Sequence, residues 1–338
     1  MAESDPSFQA ETPDISISAL IDAVLDHKNP IPPKYLYRFS DLAGDELIQF
    51  QNIWPQIALP RRIGLIEDLE ILSESNYLVS FDSVFIIGLS DEDAEIRQIA
   101  LRSLWECDDP SLIPQLLDLL KNDPAIQVQA QAASGLGHFI LLGEIGRIQK
   151  RFLKKINESL IAFFDEESPA LIRQSALESL GYSSHPKIPG IIEDAYDSGD
   201  EDWLASSLVA MGRSEDEQWH PFIVDNLDHN NVKVRLMATQ AAGKLSIPDA
   251  LPTLMYLLND EDDEVQMAAI WSLSEIGGED VREVLDNLLE GTEDEELIEI
   301  IDNAIENLIF NENLKDFSIM DFPHNDQEDF ENQQEDEE

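Results

Sequence analysis

The sequence has 338 residues, 43% of them hydrophobic, and 70 acidic against 21 basic side chains give a formal net charge of -49. That is enough apolar material for a sizeable core, as one long array or two compact domains. The field it carries repels a nucleic-acid duplex or an anionic membrane surface, so neither is expected as a partner. A single cysteine, Cys107, excludes an intrachain disulfide and a thiolate metal cluster and points to a reducing, cytoplasmic setting. No apolar run approaches the roughly 20 residues that span a bilayer, and the acidic, polar start is unlike a secretory signal.

Residues 1–13 hold two prolines and little to bury, which predicts disorder. An amphipathic helix is expected from Ile15 to about Asp26, ended by Asn29-Pro30-Ile31-Pro32-Pro33. Further helices are expected near Asp45 to Trp54, Arg61 to Leu72 and Phe81 to Leu89. Together residues 14–90 read as a helical capping region of degenerate repeats.

From Asp91 a repeat becomes legible. Ile96, Val128, Ile172, Trp203, Val234, Val265 and Leu297 open helices of one pattern, in steps of 32, 44, 31, 31, 31 and 32 residues. Four positions on stand Ala100, Ala132, Ala176, Ser207, Ala238, Ala269 and Ile301; eight positions on stand Leu104, Leu136, Leu180, Met211, Ala242, Leu273 and Ile305. This is helical spacing with a small residue where helices approach. Gly137, Gly181, Gly212 and Gly243 follow the stripe and read as turn residues. Between these helices a further helix of about ten residues is expected in each unit, opened by Ile113-Pro114, Ile188-Pro189, Leu251-Pro252 or Pro221, because proline is tolerated in a first helical turn. The 44-residue step holds an insertion between Leu141 and Asp165 that lengthens the first helix of its unit. Five of the 21 basic residues, Arg147, Lys150, Arg151, Lys154 and Lys155, fall there in nine positions, spaced to share a helix face. After Phe310 the pattern stops, and residues 311–338, with eleven acids and one lysine, read as a disordered acidic tail.

On Asp91-Glu92-Asp93-Ala94-Glu95-Ile96-Arg97, on Ile172-Arg173-Gln174-Ser175-Ala176-Leu177-Glu178-Ser179-Leu180-Gly181, and on Val234-Arg235 with Ala238, the chain resembles the HEAT family, in particular the HEAT-like repeats of the phycobilisome lyase type. The resemblance covers residues 91–310 clearly and 40–89 weakly. It implies an all-α solenoid of about seven to nine helical hairpins with a degenerate N-terminal cap. It also implies that Arg97, Arg173 and Arg235 join the turn aspartates in a ladder that stabilises the stack. Activity does not follow from it, since the repeat recurs in scaffolds, lyases, hydroxylases and DNA-repair enzymes.

Relatives with a di-iron hydroxylase activity carry His-Glu dipeptides that supply the iron ligands, and this sequence has none. No phosphate loop and no nucleophile–base pair stands at a readable spacing. No catalytic, metal or cofactor-binding residue is therefore assigned, and no cofactor. In HEAT arrays the second helix of each hairpin lines the concave side. Its outward columns here give Gln98, Arg102 and Trp105, then Ala205 and Val209, Leu236 and Gln240, and Met267 and Trp271. If these are exposed they form a semi-apolar groove suited to anchoring a peptide or helix; if not, they pack on the next repeat. The basic cluster is either a solvated face or a site for an acidic segment, from a partner or from the tail with its Phe317, Phe322 and Phe330. The acidic surface serves solubility, or steers a basic partner. These readings favour a monomeric, non-enzymatic scaffold for a protein or peptide, with a phycobilin-lyase-like enzyme or chaperone as the alternative and nucleic-acid binding disfavoured third.

Overall fold

The computed structural model describes residues 15–40, 42–164 and 168–319. The proposed disorder of residues 1–13 and most of the acidic tail lie outside them. Among the described residues every regular element is helical. The chain divides into two compact units between Ser198 and Gly199.

Unit 1 contains α1 (Ile17–Leu25), α2 (Pro33–Leu36), α3 (Gly44–Ile53), α4 (Leu59–Ser75), α5 (Asp82–Gly88), α6 (Ala94–Ser103), α7 (Ile113–Asn122), α8 (Ile126–Glu144), α9 (Lys150–Ile161), α10 (Ala170–Leu180) and α11 (Ile188–Tyr196). Unit 2 contains α12 (Glu201–Arg213), α13 (His220–Val224), α14 (Val232–Lys244), α15 (Leu251–Leu257), α16 (Asp263–Ile276), α17 (Glu279–Gly291) and α18 (Glu295–Ile319). The helices that follow the acidic turns, with α4 before them, pack side by side: α4 on α6, α6 on α8 and α8 on α10 in unit 1, then α12 on α14, α14 on α16 and α16 on α18 in unit 2. Intervening helices such as α5, α7, α13 and α15 each pack on the helix that follows them. The fold is an all-α solenoid built of helical hairpins. The insertion lengthens α8 to 19 residues, as expected, and α18 runs on past Phe310 to Ile319.

The helix starts follow from local chemistry. Pro114, Pro189, Pro221 and Pro252 each sit in a first turn, where a missing N–H loses no hydrogen bond. Asp93, Asp200, Asn231 and Asp262 cap α6, α12, α14 and α16 by accepting from backbone N–H groups of the first turn. Two residues before the N-cap, Asp91, Asp123 and Asp260 accept the N–H of residues 93, 125 and 262 at 2.8, 2.9 and 3.0 Å. Much of the acidity of these turns is therefore consumed in closing the backbone.

The column four positions after each opener is fully buried in all seven copies, Ile301 included, and the column eight positions on is buried from Leu104 to Leu273. The glycine column corrects the turn reading. Gly137, Gly212 and Gly243 lie inside α8, α12 and α14, and only Gly181 is a helix cap. A methyl built on Gly243 would stand 2.7 Å from the Cα of Ser272 on α16, and one on Gly212 would stand 3.0 Å from the Cα of Ala241 on α14. These glycines let adjacent helices touch backbone to backbone. Ser272 uses that approach to donate its hydroxyl to the carbonyl of Thr239 at 2.8 Å, and Ser179 on α10 does the same to Ala133 at 2.9 Å.

Two of the three arginines, Arg97 and Arg235, form rungs of the expected ladder, and each reaches to the next turn. Arg97 holds Asp123 with two parallel bonds of 2.7 and 2.8 Å, and its remaining nitrogen donates to the carbonyls of Asp91 and Glu92. Arg235 holds Asp260 in the same geometry, at 2.7 and 2.8 Å, and donates to the carbonyl of His229. This bidentate pairing keeps the Arg97 and Arg235 guanidiniums above their usual range and the Asp260 carboxyl below its own. Where the column holds glutamine, Gln129 and Gln266 still donate to the turn carbonyls of Asp123 and Leu258. One rung was not legible in the sequence. Arg62 on α4 lies 3.4 Å from Asp91 and 2.8 Å from Glu92, and the indole N–H of Trp54 donates to Asp91 at 2.6 Å. The ladder thus begins on α4, and Asp91 ties Trp54 and Arg62 to the turn before α6.

Candidate partner-binding face

The columns proposed as a partner face are the second and sixth positions beyond the opener on the helices after the acidic turns. In unit 2 the sixth-position ridge is Val209 on α12, Gln240 on α14, Trp271 on α16 and Asn303 on α18. Val209 is half-buried, Gln240 and Asn303 are exposed, and Trp271 is 48% exposed. The second-position column beside it holds Leu236 and Met267, both half-buried. Ala205 does not belong to the face: it is 1% exposed, because a methyl is too short to clear the α14 helix packed alongside. Six of the seven proposed residues thus keep accessible surface, five of them in unit 2 and Trp105 in unit 1.

In unit 1 the same columns give half-buried Gln98 and exposed Arg102. Arg102 is bound to Glu70 of α4 by bonds of 2.6 and 2.7 Å, with Glu74 and Glu67 also in its field. Trp105 stands where later copies carry the glycine of close approach. Since α6 ends at Ser103, the indole lies past the helix end and is 63% exposed. Apolar surface continues at Ile71, Tyr77 and Leu78, which are 64%, 89% and 81% exposed at the end of α4 and in the turn after it. Sequence reading missed these three. The available signal was the offset of Ile71 from the buried stripe of Leu65 and Leu69. Tyr256, at 78% exposed on α15, belongs to the intervening layer of unit 2 and was missed as well.

The basic cluster is split between two elements. Arg147 lies in the turn between α8 and α9, 3.8 Å from Asp108, so it does not share the helix face assigned to it; Gly146, at a φ of 77°, ends the preceding chain direction. Lys150, Arg151, Lys154 and Lys155 all lie on α9 and are all exposed.

Nucleophilic chemistry finds little support in the one thiol. Cys107 is buried, and desolvation pushes its pKa up to about 11, so it is a neutral thiol near neutral pH. Among the described residues no three His, Cys, Asp or Glu side chains are grouped to hold a metal ion, and no helix is long and apolar enough to cross a membrane.

Comparison with known proteins identifies the repeat. Residues 83–181 and 220–306, more than half of the chain, match HEAT repeats. No match was found among curated proteins. Solved structures with similar features include the Escherichia coli protein YibA, at 20% identity and a TM-score of 0.40, covering 81% of this chain and 95% of that one. Another is the complex of CpcE and CpcF of phycocyanin lyase from Nostoc sp. PCC7120, at 18% identity and a TM-score of 0.45, covering 67% and 94%. A third is human deoxyhypusine hydroxylase, at 14% identity and a TM-score of 0.35, covering 87% and 96%. The repeat match, together with the buried columns and the arginine ladder, shows that this chain belongs to the HEAT-repeat family.

Proposed function

We propose that the chain is a non-enzymatic scaffold that holds a protein or peptide of basic character on the ridge formed by α12, α14 and α16. The observation that carries the reading is the exposure of Trp271, 48% accessible beside half-buried Met267, at a position filled by valine and glutamine on the two preceding helices. A large aromatic left half in water costs hydrophobic burial that a partner would recover, and tryptophan and methionine are enriched in interface cores. Val209, Leu236 and Gln240 would flank that anchor. The formal net charge of -49 would speed encounter with a basic partner and make its association sensitive to salt.

Affinity capture with the full chain as bait, in parallel with Trp271→Ala, tests this. A partner held on the ridge should be retained by the wild type and lost about tenfold or more in the variant, as for an anchoring aromatic. Its association should also slow as salt rises from about 50 to about 300 mM. Equal retention by the variant would remove the ridge from the reading, and association indifferent to salt would remove the basic partner.

A further inference from the structure

We propose that the outer face of α9 is a second docking surface, separate from the ridge, and that its partner is an acidic peptide segment of another protein. The argument starts from an electrostatic arrangement that the fold itself does not use. Lys150, Arg151, Lys154 and Lys155 occupy four of the first six positions of α9. At 100° per residue they and Glu158 span an arc of about 140°, while Ile156 and Leu160 are buried on the opposite side, Asn157 is buried at the edge of the arc, and Ile161 is buried within it only in the last turn, beyond the cations. Two pairs of like charge, Lys150 with Lys154 and Arg151 with Lys155, stand four residues apart and repel one another. They also crowd the positive end of the helix dipole, where cations are disfavoured.

Among the described residues one peripheral carboxylate, Glu158, is paired with these cations. The first turn of α9 contains no acid, and the N-cap, Gln149, makes no side-chain hydrogen bond to it. The carboxylates nearby are committed or peripheral: Glu158 reaches only Lys154, at 3.7 Å between side chains both more than 60% exposed. Glu144 bonds the backbone and hydroxyl of Ser184 at 2.8 Å, and Asp108 faces His138 and Arg147. By contrast the Arg62, Arg97 and Arg235 guanidiniums all have buried or half-buried carboxylate partners. In a chain of such negative charge, a face of unmatched cations is complementary to an anion.

The dimensions favour a peptide over a polyanion. From Lys150 to Lys155 the patch extends only about 8 Å along the axis, enough for three or four carboxylates. A duplex, with a charge about every 1.7 Å, would run beyond it over an otherwise acidic surface, and an anionic membrane would meet the same surface in two dimensions. Beyond a Debye length of about 8 Å the repulsion of remote acids is screened, so a short acidic segment feels mainly α9. The Arg151 guanidinium lies 4.9 Å from the ring centre of Phe152, a cation–π contact that holds one donor in place before the segment arrives.

A fluorescent 15-residue peptide of alternating Glu, Asp and Phe, titrated into the full chain and followed by anisotropy and hydrogen exchange, tests the proposal. The expected result is saturable binding that slows exchange at residues 150–155, weakens about tenfold or more in the surface variant Lys150→Glu/Arg151→Glu, and is absent for the same peptide with Gln and Asn in place of its acids. Circular dichroism of the variant confirms that it folds, and Trp271→Ala should leave this binding unchanged, which separates the site from the ridge. No binding, binding unaffected by the charge reversal, or protection elsewhere would overturn the proposal. Tighter binding of a 15-nucleotide RNA or of phosphatidylserine vesicles than of the peptide would also overturn it, in favour of a polyanion or a membrane surface.

Discussion

Replacing Gly243 by alanine should destabilise unit 2, whereas the same change at Gly64 should stabilise unit 1. Both glycines lie within helices, α14 and α4, and on helix propensity alone alanine gains about 1 kcal/mol at either. At Gly64 nothing stands within 4 Å of the new methyl, so that gain of about 0.5 to 1 kcal/mol should appear undiminished. At Gly243 the methyl meets Ser272 at 2.5 Å from Oγ and 2.7 Å from Cα. The serine could rotate its hydroxyl away, losing the 2.8 Å bond to Thr239 at a cost of about 1 kcal/mol. The Cα cannot rotate, and forcing α14 and α16 apart carries an overpacking cost of about 1 to 3 kcal/mol. The net expectation is a loss of about 1 to 3 kcal/mol. Urea unfolding followed by tryptophan fluorescence reads it, since Trp219 is 1% exposed in unit 2 and Trp54 is 4% exposed in unit 1. A Gly243→Ala midpoint at or above that of the parent would refute the backbone-contact account and restore these glycines to the status of turn residues.

Further expectations concern the charged rungs. Arg97→Ala should cost about 3 to 5 kcal/mol, because it leaves Asp123, 3% exposed, buried without its partner. Arg102→Ala, whose side chain is 53% exposed, should cost about 1 kcal/mol or less; comparable losses in urea midpoints would contradict the distinction. The folded Asp260 carboxyl sits below its ordinary pKa because of Arg235. Its contribution is therefore complete above the unfolded value, near 4, and is lost as pH falls through the lower folded value. Asp260→Asn should be less stable than the parent at pH 7, and the difference should shrink between about pH 5 and pH 3. A difference independent of pH would mean that the pair contributes through packing alone.

The repeat was legible because the buried columns are a property of the chain's own spacing. Ala100 to Ala269 and Leu104 to Leu273 could be aligned without knowing what they touch. The glycines were misread for the opposite reason. A small residue after an apolar stripe serves equally as a helix end or as a point of contact with the next helix, and only the neighbour decides. Gly181 proved to be the first kind, Gly137, Gly212 and Gly243 the second. Arg62 escaped notice because it precedes the regular register, and its partner lies 29 residues on where Arg97 and Arg235 have theirs at 26 and 25. On the candidate face, Met267 and Trp271 depart from what other copies place in their columns; Trp271 is half exposed and Met267 half-buried. Ala205 obeyed its column yet is buried, since column position sets direction and side-chain length sets reach. Spacing puts Arg147 with the α9 cations, but it lies in the turn before α9, which starts only at Lys150.

The central claim is that the ridge of unit 2, rather than its intervening layer, holds the partner. A photo-crosslinking residue placed at exposed Gln240 on α14, and separately at Tyr256 on α15, 78% exposed, would decide it on the captured partner. Crosslinking from position 240 that is lost with Trp271→Ala, and none from position 256, is the predicted result. Equal crosslinking from both, or from 256 alone, would contradict the account.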